Sequence, residues 1–204
     1  MSKKIKVLGI LGTLKTKDSM SSNTEELLNA VYEKMKPLGV TDFKTVRLVD
    51  MNIKHGLMTD MMDDGKAVIQ DIIDADIVIW ATPIWWGQPS SLIQKLIERM
   101  DQLDNEYMMS GMSKLKNKVA GIVVTGHEDG VQHVVGTLAN ALTWYGFCLP
   151  PECAAYWVGE VGPPMNKDAE KRRVNMATNM MTDAMAMNLV NYATIIGEST
   201  LLKK

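Results

Sequence analysis

Two adjacent tryptophans and a glycine stand where an apolar segment ends and a helical pattern begins. The segment consists of Pro83, Ile84, Trp85, Trp86 and Gly87. Indole rings present flat apolar faces, and glycine lets a ligand approach the backbone closely. The combination therefore predicts one of two arrangements: indoles that pack back onto the core, or a shelf for a planar aromatic ligand.

A second segment, residues 12–24, is rich in hydroxyl groups and leads into a predicted helix. Free N–H groups and the dipole at a helix N-terminus form a ready anion site, to which side chains add hydrogen bonds. A phosphate monoester is the expected ligand, and ordinary helix capping is the alternative. Neither G-x-x-x-x-G-K-[ST] nor G-x-G-x-x-G is present, so a P-loop is excluded and a Rossmann dinucleotide site is disfavoured. The candidate phosphate contacts are Thr13, Ser22, Asn23 and Thr24.

A third polar segment, residues 125–130, follows another apolar run directly. It consists of Thr125, Gly126, His127, Glu128, Asp129 and Gly130. The two glycines allow a tight turn whose amides are directed at a ring edge that carries negative charge. A plain polar turn is the alternative. No metal site is expected, because no further ligands converge on this segment by sequence.

These segments must be positioned by a sheet. Residues 5–11, 76–82 and 118–125 are near-continuous apolar runs, which is typical of parallel strands buried on both faces. Residues 42–50 alternate between apolar and polar positions and predict an edge strand. Residues 146–151 predict a short fifth strand, which the prolines also place at an edge.

Helical patterns separate the strands. They cover residues 22–36, 90–103, 131–145 and a Met-rich stretch from about 167 to 196. Alternation of strand and helix predicts an α/β domain with right-handed crossovers. We expect a doubly wound, five-stranded parallel sheet of order 2-1-3-4-5 with helices on both faces.

In such a sheet a ligand binds beyond the carboxyl ends of the strands, at the switch point between strands 1 and 3. The three polar segments follow Leu11, Thr82 and Thr125, which end three of the predicted strands. They therefore meet at one edge. A phosphate site, an aromatic shelf and a glycine-rich turn together favour flavin mononucleotide (FMN) over a nucleoside triphosphate.

The motifs resemble those of the flavodoxin-like superfamily, most closely the NADPH-dependent FMN reductase type of flavin oxidoreductase. "GTLK" with "SSNT" resembles that family's phosphate loop, and "TGHEDG" its third flavin loop. "TPIWWGQPSSLIQKLIERMD" resembles its Pro-aromatic-Gly flavin loop and the helix that leads to an Arg-Asp pair, here Arg99 and Asp101. The resemblance covers about residues 5–160.

The resemblance implies an enzyme in which FMN accepts a hydride from NADPH or NADH and reduces a small acceptor such as a quinone, a flavin or an azo compound. The flavin carries the chemistry and the protein supplies binding and orientation, so no catalytic side chain is expected. Trp85 and Trp86 are then expected to flank the ring, and Lys15 to help neutralise the phosphate. The alternatives are an FMN electron carrier without nicotinamide turnover and a flavin-free regulatory domain on the same fold.

The composition and net charge further restrict the class of protein. At 204 residues the chain fits one domain, residues 1–204, and its net charge of -2 argues against a nucleic-acid partner. Two cysteines and no membrane-length apolar run predict a cytoplasmic protein. The C-terminal helix is apolar over more than one stripe. It is therefore expected either to pack across the sheet or to join subunits of a homodimer or homotetramer.

Overall fold

A computed structural model describes residues 4–19, 21–56, 62–127, 130–159 and 165–199, the last range without the side chains of residues 165–167. Six strands form one sheet in these ranges. They are β1 (Lys6–Leu11), β2 (Asp42–Arg47), β3 (Ile77–Trp85), β4 (Gln88–Pro89), β5 (Val119–Gly126) and β6 (Ala154–Val158).

Five of these strands are parallel, in the order β2-β1-β3-β5-β6. The two-residue strand β4 pairs antiparallel with the end of β3 and lies off this path. Without β4 the order is the predicted 2-1-3-4-5, and the doubly wound fold is confirmed. The three central strands are almost wholly buried, as their continuous apolar runs indicate.

The last strand lies later in the chain than predicted. The backbone of residues 146–151 pairs with the sheet only at Cys148, whose N–H donates to the Lys118 carbonyl and whose carbonyl accepts from the Ala120 N–H. Prolines at 150 and 151 have no N–H to continue the ladder. After a turn at Glu152, which has a positive φ of 52°, the chain forms β6.

Seven α-helices cover the sheet in the described ranges. They are α1 (Asn23–Met35), α2 (Gly65–Asp74), α3 (Ser91–Arg99), α4 (Asp101–Ser110), α5 (Val131–Trp144), α6 (Met165–Val174) and α7 (Met176–Glu198). Short 3-10 turns follow α1 and β2, at Lys36–Leu38 and Leu48–Asp50. Helices α2 to α5 pack in one hydrophobic cluster, and α1 and α7 in a second one. Both faces of the sheet are therefore covered.

Two predicted helices are each two helices in the structure. The 90–103 pattern divides at Met100, and the C-terminal pattern divides at Asn175. Asn175 has an extended ψ of 114°, and its Oδ1 accepts from the Thr178 N–H at 2.9 Å, so it caps α7 and separates it from α6. Helix α2 was not predicted from the sequence, although Val68, Ile69 and Ile72 mark its buried face.

An arginine on α3 fixes the segment that precedes α2. Arg99 Nη2 lies 3.0 Å from Asp63 Oδ1, and the two side chains are 1% and 0% exposed. The Asp63 carboxylate also accepts from the N–H groups of Lys54 and Gly65. Arg99 is thus paired with Asp63, which lies far from it in sequence.

No helix within the described ranges is both long and apolar enough to span a membrane.

Candidate functional site

The carboxyl ends of β1, β3 and β5, together with the segments that follow them, line one cavity at this edge of the sheet. Its volume is about 450 Å³, which is in the range of small-molecule sites. Twelve of the residues predicted from the sequence line it, together with Leu14. The lining is Thr13, Leu14, Lys15, Ser22, Asn23, Thr24, Pro83, Ile84, Trp85, Trp86, Thr125, Gly126 and His127.

The first loop ends at the N-terminus of α1. Ser22 is the N-cap, and its Oγ accepts from the Glu25 N–H at 3.3 Å. The N–H groups of Asn23 and Thr24 belong to the first turn, where a helix offers no acceptor of its own. The Glu25 carboxylate pairs with the Arg47 guanidinium, which compensates its charge in the first turn of α1.

Lys15 lies close to the N-terminus of α1. Lys15 Nζ donates to the Ser21 carbonyl at 2.9 Å, and burial lowers the pKa of its ammonium group from 10.5. The Lys15 carbonyl accepts from Arg47 Nη1, and its N–H donates to Thr13 Oγ1. These bonds hold the first loop in a fixed shape around the cation.

The two tryptophans lie on a hairpin rather than on a plain loop. Trp85 is the last residue of β3, and Trp86 and Gly87 form the two-residue turn to β4. Their φ values of 51° and 74° are both positive, as a type I′ turn requires. Trp85 is 48% exposed and Trp86 is 93% exposed, and neither belongs to a hydrophobic cluster. The alternative of core packing is therefore wrong for both indoles.

Glycines bring the second and third loops into contact. A Cβ on Gly126 would lie 2.8 Å from the Ile84 side chain, and one on Gly130 would lie 2.9 Å from the Gly87 Cα. Gly130 also has a φ of 124°, a conformation that side-chain-bearing residues rarely adopt. Gly87 and Gly130 thus allow the two loops to approach each other.

A hydroxyl pair joins the first and third loops. Thr24 Oγ1 and Thr125 Oγ1 are 2.7 Å apart, and both residues are buried. The predicted site residues Glu128 and Asp129 lie outside the described residues. Within those residues, no cluster of three or more His, Cys, Asp or Glu side chains is suited to hold a metal ion.

Besides Leu14, sequence reasoning missed Asp168 on α6, whose side chain contacts two residues that line the cavity. Its carboxylate accepts from Asn23 Nδ2 at 2.8 Å, lies 3.3 Å from His127 Nε2 and accepts from Trp157 Nε1 at 3.0 and 3.1 Å. The surrounding sequence, "NKDAEKRR", reads as a solvated charged helix. It contains no local signal that one of its carboxylates is buried.

Comparison with known proteins identifies relatives over nearly the whole chain. The divalent metal cation transporter MntH of Mycobacterium bovis is 31% identical over 200 residues, which are 94% of this chain but only 29% of the transporter. The 8-demethyl-8-aminoriboflavin-5'-phosphate synthase of Streptomyces davaonensis is 29% identical over 202 residues, or 93% of this chain and 78% of the synthase.

A solved structure extends this similarity to three dimensions. RosB with bound 8-demethyl-8-formylriboflavin-5'-phosphate superimposes with a TM-score of 0.84 at 28% identity, over 96% of this chain and 81% of RosB. The family model for NADPH-dependent FMN reductase matches residues 5–160, which contain all three loops of the cavity. The chain therefore belongs to the NADPH-dependent FMN reductase family of flavin oxidoreductases.

Proposed function

We propose that the cavity binds FMN with its phosphate on the first loop and its ring between the tryptophan hairpin and the third loop. The amides at the start of α1 and the hydroxyls of Thr13, Ser22 and Thr24 are donors for the phosphate, and Lys15 supplies a positive charge. At the other end, Trp85 and Trp86 present indole faces to the ring. The remaining predicted contacts are Asn23, Pro83, Ile84, Gly87, Thr125, Gly126, His127, Glu128, Asp129 and Gly130.

The observation that carries this proposal is the continuity of the cavity. Lys15, the first residues of α1 and two exposed indoles line the same volume of about 450 Å³. A ligand that fills it must combine an anionic group with a planar apolar body. Phosphate esters of flavins have both parts, whereas inorganic phosphate or a plain hydrocarbon has only one.

The proposed reaction is NAD(P)H-dependent reduction of a small acceptor such as a quinone, a free flavin or a similar compound. Bound FMN would take a hydride from NADPH or NADH and reduce the acceptor. The protein's own part is to hold the phosphate, to cover the ring with Trp85 and Trp86 and to direct amides of the third loop at the ring edge. Reduction makes that edge negative, so these donors favour the reduced form.

Titration with FMN and with riboflavin tests the binding proposal. The two ligands differ only in the phosphate, so an anion site at the start of α1 should make FMN bind at least about tenfold more tightly, roughly 1.4 kcal/mol. Quenching of flavin fluorescence gives both dissociation constants. Equal affinities would show that the phosphate does not bind at the first loop. If neither flavin binds, the assignment of the cavity to FMN is refuted.

A second candidate function is chemical modification of the flavin itself. It is favoured by the similarity to the Streptomyces davaonensis synthase and to RosB, which both extend over more than 90% of this chain. In this case FMN is a substrate at the same site. Mass spectrometry of the flavin after incubation with the protein distinguishes the two candidates, because a reductase returns FMN with unchanged mass.

The third candidate, an electron carrier without nicotinamide turnover, is less well supported. Such carriers dock through strong acidic surfaces, and the net charge here is only -2. Bleaching of bound flavin by NADPH or NADH separates this candidate from a reductase.

For the assembly we propose a homodimer or homotetramer that involves α7. One face of this helix packs on the sheet and α1 through residues such as Met185 and Leu189. On its exposed side, Met176, Met180 and Met187 are 75%, 64% and 50% exposed. An exposed apolar stripe of this kind is typical of a subunit contact.

A further inference from the structure

The carboxylate of Asp168 is the buried acidic group closest to the cavity that the proposed function does not use. It is 1% exposed and accepts hydrogen bonds from Asn23 Nδ2 in the first loop and Trp157 Nε1 on β6. Its Oδ2 also lies 3.3 Å from Nε2 of His127, which lines the cavity. One carboxylate therefore connects the anion end of the cavity with its third loop.

The groups that contact Asp168 determine which ring nitrogen of His127 carries a proton. An ionised carboxylate only accepts hydrogen bonds, and an indole N–H and an amide NH₂ only donate. The contact at Asp168 Oδ2 therefore requires a proton on Nε2 of His127. Among the described residues, Nδ1 of His127 makes no hydrogen bond, so this second nitrogen is available to a ligand.

Two further features fix the position of the carboxylate and of the helix that carries it. A Cβ on Gly159 would collide with Asp168 Oδ1, so the lack of a side chain there makes room for the carboxylate. Helix α6 is also attached to α1 by Arg172 and Arg173, which both bind the Glu26 carboxylate. This second attachment does not involve Asp168.

We propose that Asp168 is a positioning residue of the flavin site, supplied by a helix that lies beyond residues 5–160 matched by the family model. It keeps the proton of His127 on Nε2 and turns Nδ1 of the imidazole toward the bound ligand. It also links Asn23 to His127, so that the phosphate and ring ends of the site keep a fixed separation. The effect on flavin affinity depends on the proposed function, whereas the effect on His127 does not.

Nitrogen NMR of the ligand-free protein tests the first part. Wild-type His127 should carry a proton on Nε2. In Asp168→Asn, the Trp157 indole can only donate and therefore keeps the carbonyl oxygen of the new amide, which leaves its NH₂ at the position of Oδ2. Asn23 can then turn its own amide to present Oδ1, and His127 can become an acceptor by moving its proton to Nδ1. The expected spectrum of the variant is that of the Nδ1–H tautomer. A neutral wild-type imidazole with a bare Nε2 would overturn the proposal without any variant.

FMN affinity tests the second part. We expect Asp168→Asn to weaken FMN binding about tenfold, a loss of roughly 1.4 kcal/mol. Gly159→Ala should do the same with Asp168 present, because its methyl group displaces the carboxylate. Glu26→Gln is the matched control, since it loosens α6 without touching Asp168, and its affinity should stay within about twofold of wild type.

The outcomes separate the two proposals. An unchanged tautomer and unchanged FMN affinity in Asp168→Asn would overturn the positioning role. An equal loss of affinity in Glu26→Gln would also overturn it, because docking of α6 would then be the cause. If wild type binds no FMN but His127 changes its tautomer as expected, the proposed function fails and the positioning of His127 stands.

Discussion

At the scale of single residues, the two tryptophans are explained by the hairpin that carries them. Trp85 ends a buried strand and Trp86 occupies a turn with positive φ, so neither indole can reach the core. Trp86 is 93% exposed, so the faces of its indole are accessible to a ligand. Both indoles line the cavity, and we therefore assign their cover to the ligand.

Replacement of Trp86 by alanine should weaken FMN binding without destabilising the ligand-free protein. The side chain contributes little to the apo fold because it is almost fully exposed, and alanine keeps the same backbone restriction at positive φ. Loss of one stacking face should raise the FMN dissociation constant about tenfold, roughly 1.4 kcal/mol. Trp144→Ala is the matched control, since Trp144 is 81% exposed but does not line the cavity. Equal effects of the two changes on affinity would argue against ring binding at the hairpin.

Replacement of Lys15 by glutamine should affect FMN but not riboflavin. Burial lowers the pKa of Lys15 below 10.5, so its ammonium group loses its charge at a lower pH than an exposed lysine does. The preference for FMN over riboflavin should therefore be greatest at neutral pH and decrease as the pH rises through the Lys15 pKa. In Lys15→Gln this decrease should be absent. Binding of both flavins between about pH 7 and about pH 10 measures the effect, and a variant with the wild-type pH profile would exclude Lys15 as the phosphate's cation.

At the scale of elements, the Arg99 and Asp63 pair joins α3 to the segment that leads into α2. Burial alone would raise the pKa of Asp63, but hydrogen bonds from the N–H groups of Lys54 and Gly65 and the charge of Arg99 outweigh it. The net result is a pKa below the ordinary value of 3.8. The folded state is thus stabilised by the ionised form, and this stabilisation is complete above the pKa of the unfolded chain.

Asp63→Asn should lower the free energy of unfolding at pH 7 by about 3 kcal/mol, because it removes the carboxylate charge that faces the buried Arg99 guanidinium. The difference from wild type should shrink as the pH falls below 3.8 and through the folded pKa of Asp63, where the wild-type carboxylate also becomes neutral. Urea unfolding at neutral and at acidic pH measures both values.

Asp71→Asn is the control, because it breaks the more exposed pair with Lys44 and should lower the free energy of unfolding by less than about 1 kcal/mol. A difference for Asp63→Asn that does not change with pH would contradict the account.

Elements were predicted best where burial alone decides the structure. The central strands are buried on both faces, so continuous apolar runs marked β1, β3 and β5 within a few residues. The division between α6 and α7 depends on a single capping side chain, Asn175, inside an otherwise helical pattern. The position of β6 depends on a turn at Glu152 and on pairing with β5. Local apolar patterns carry no information about such pairing.

At the scale of the whole molecule, the location of the candidate site was predictable because the strand order determines which loops meet. Once the strand order is known, the loops after three strands must meet, and the cavity indeed lies between them. The contribution of Asp168 was not predictable in this way. Its carboxylate reaches the site from a distant helix, and only the packed structure shows which of many charged side chains is buried.

The proposed assembly leads to a prediction about α7. If its exposed methionines form a subunit contact, changing Met180 and Met187 to glutamate should convert the oligomer to a monomer. The buried face of the helix, which includes Met185, is left intact, so the fold should be retained. Size-exclusion chromatography with light scattering measures the mass, and circular dichroism checks the fold. A wild-type monomer of 22.7 kDa, or an oligomer unchanged in the variant, would contradict this role of α7.

The measurement that tests the central claim most directly is the absorbance spectrum of the FMN-loaded protein under anaerobic conditions before and after addition of NADPH, and separately of NADH. An NAD(P)H-dependent FMN oxidoreductase should bleach the flavin bands rapidly with at least one nucleotide, and an added quinone should restore them. Flavin bands that persist with both nucleotides would contradict the account and leave an FMN protein without nicotinamide turnover.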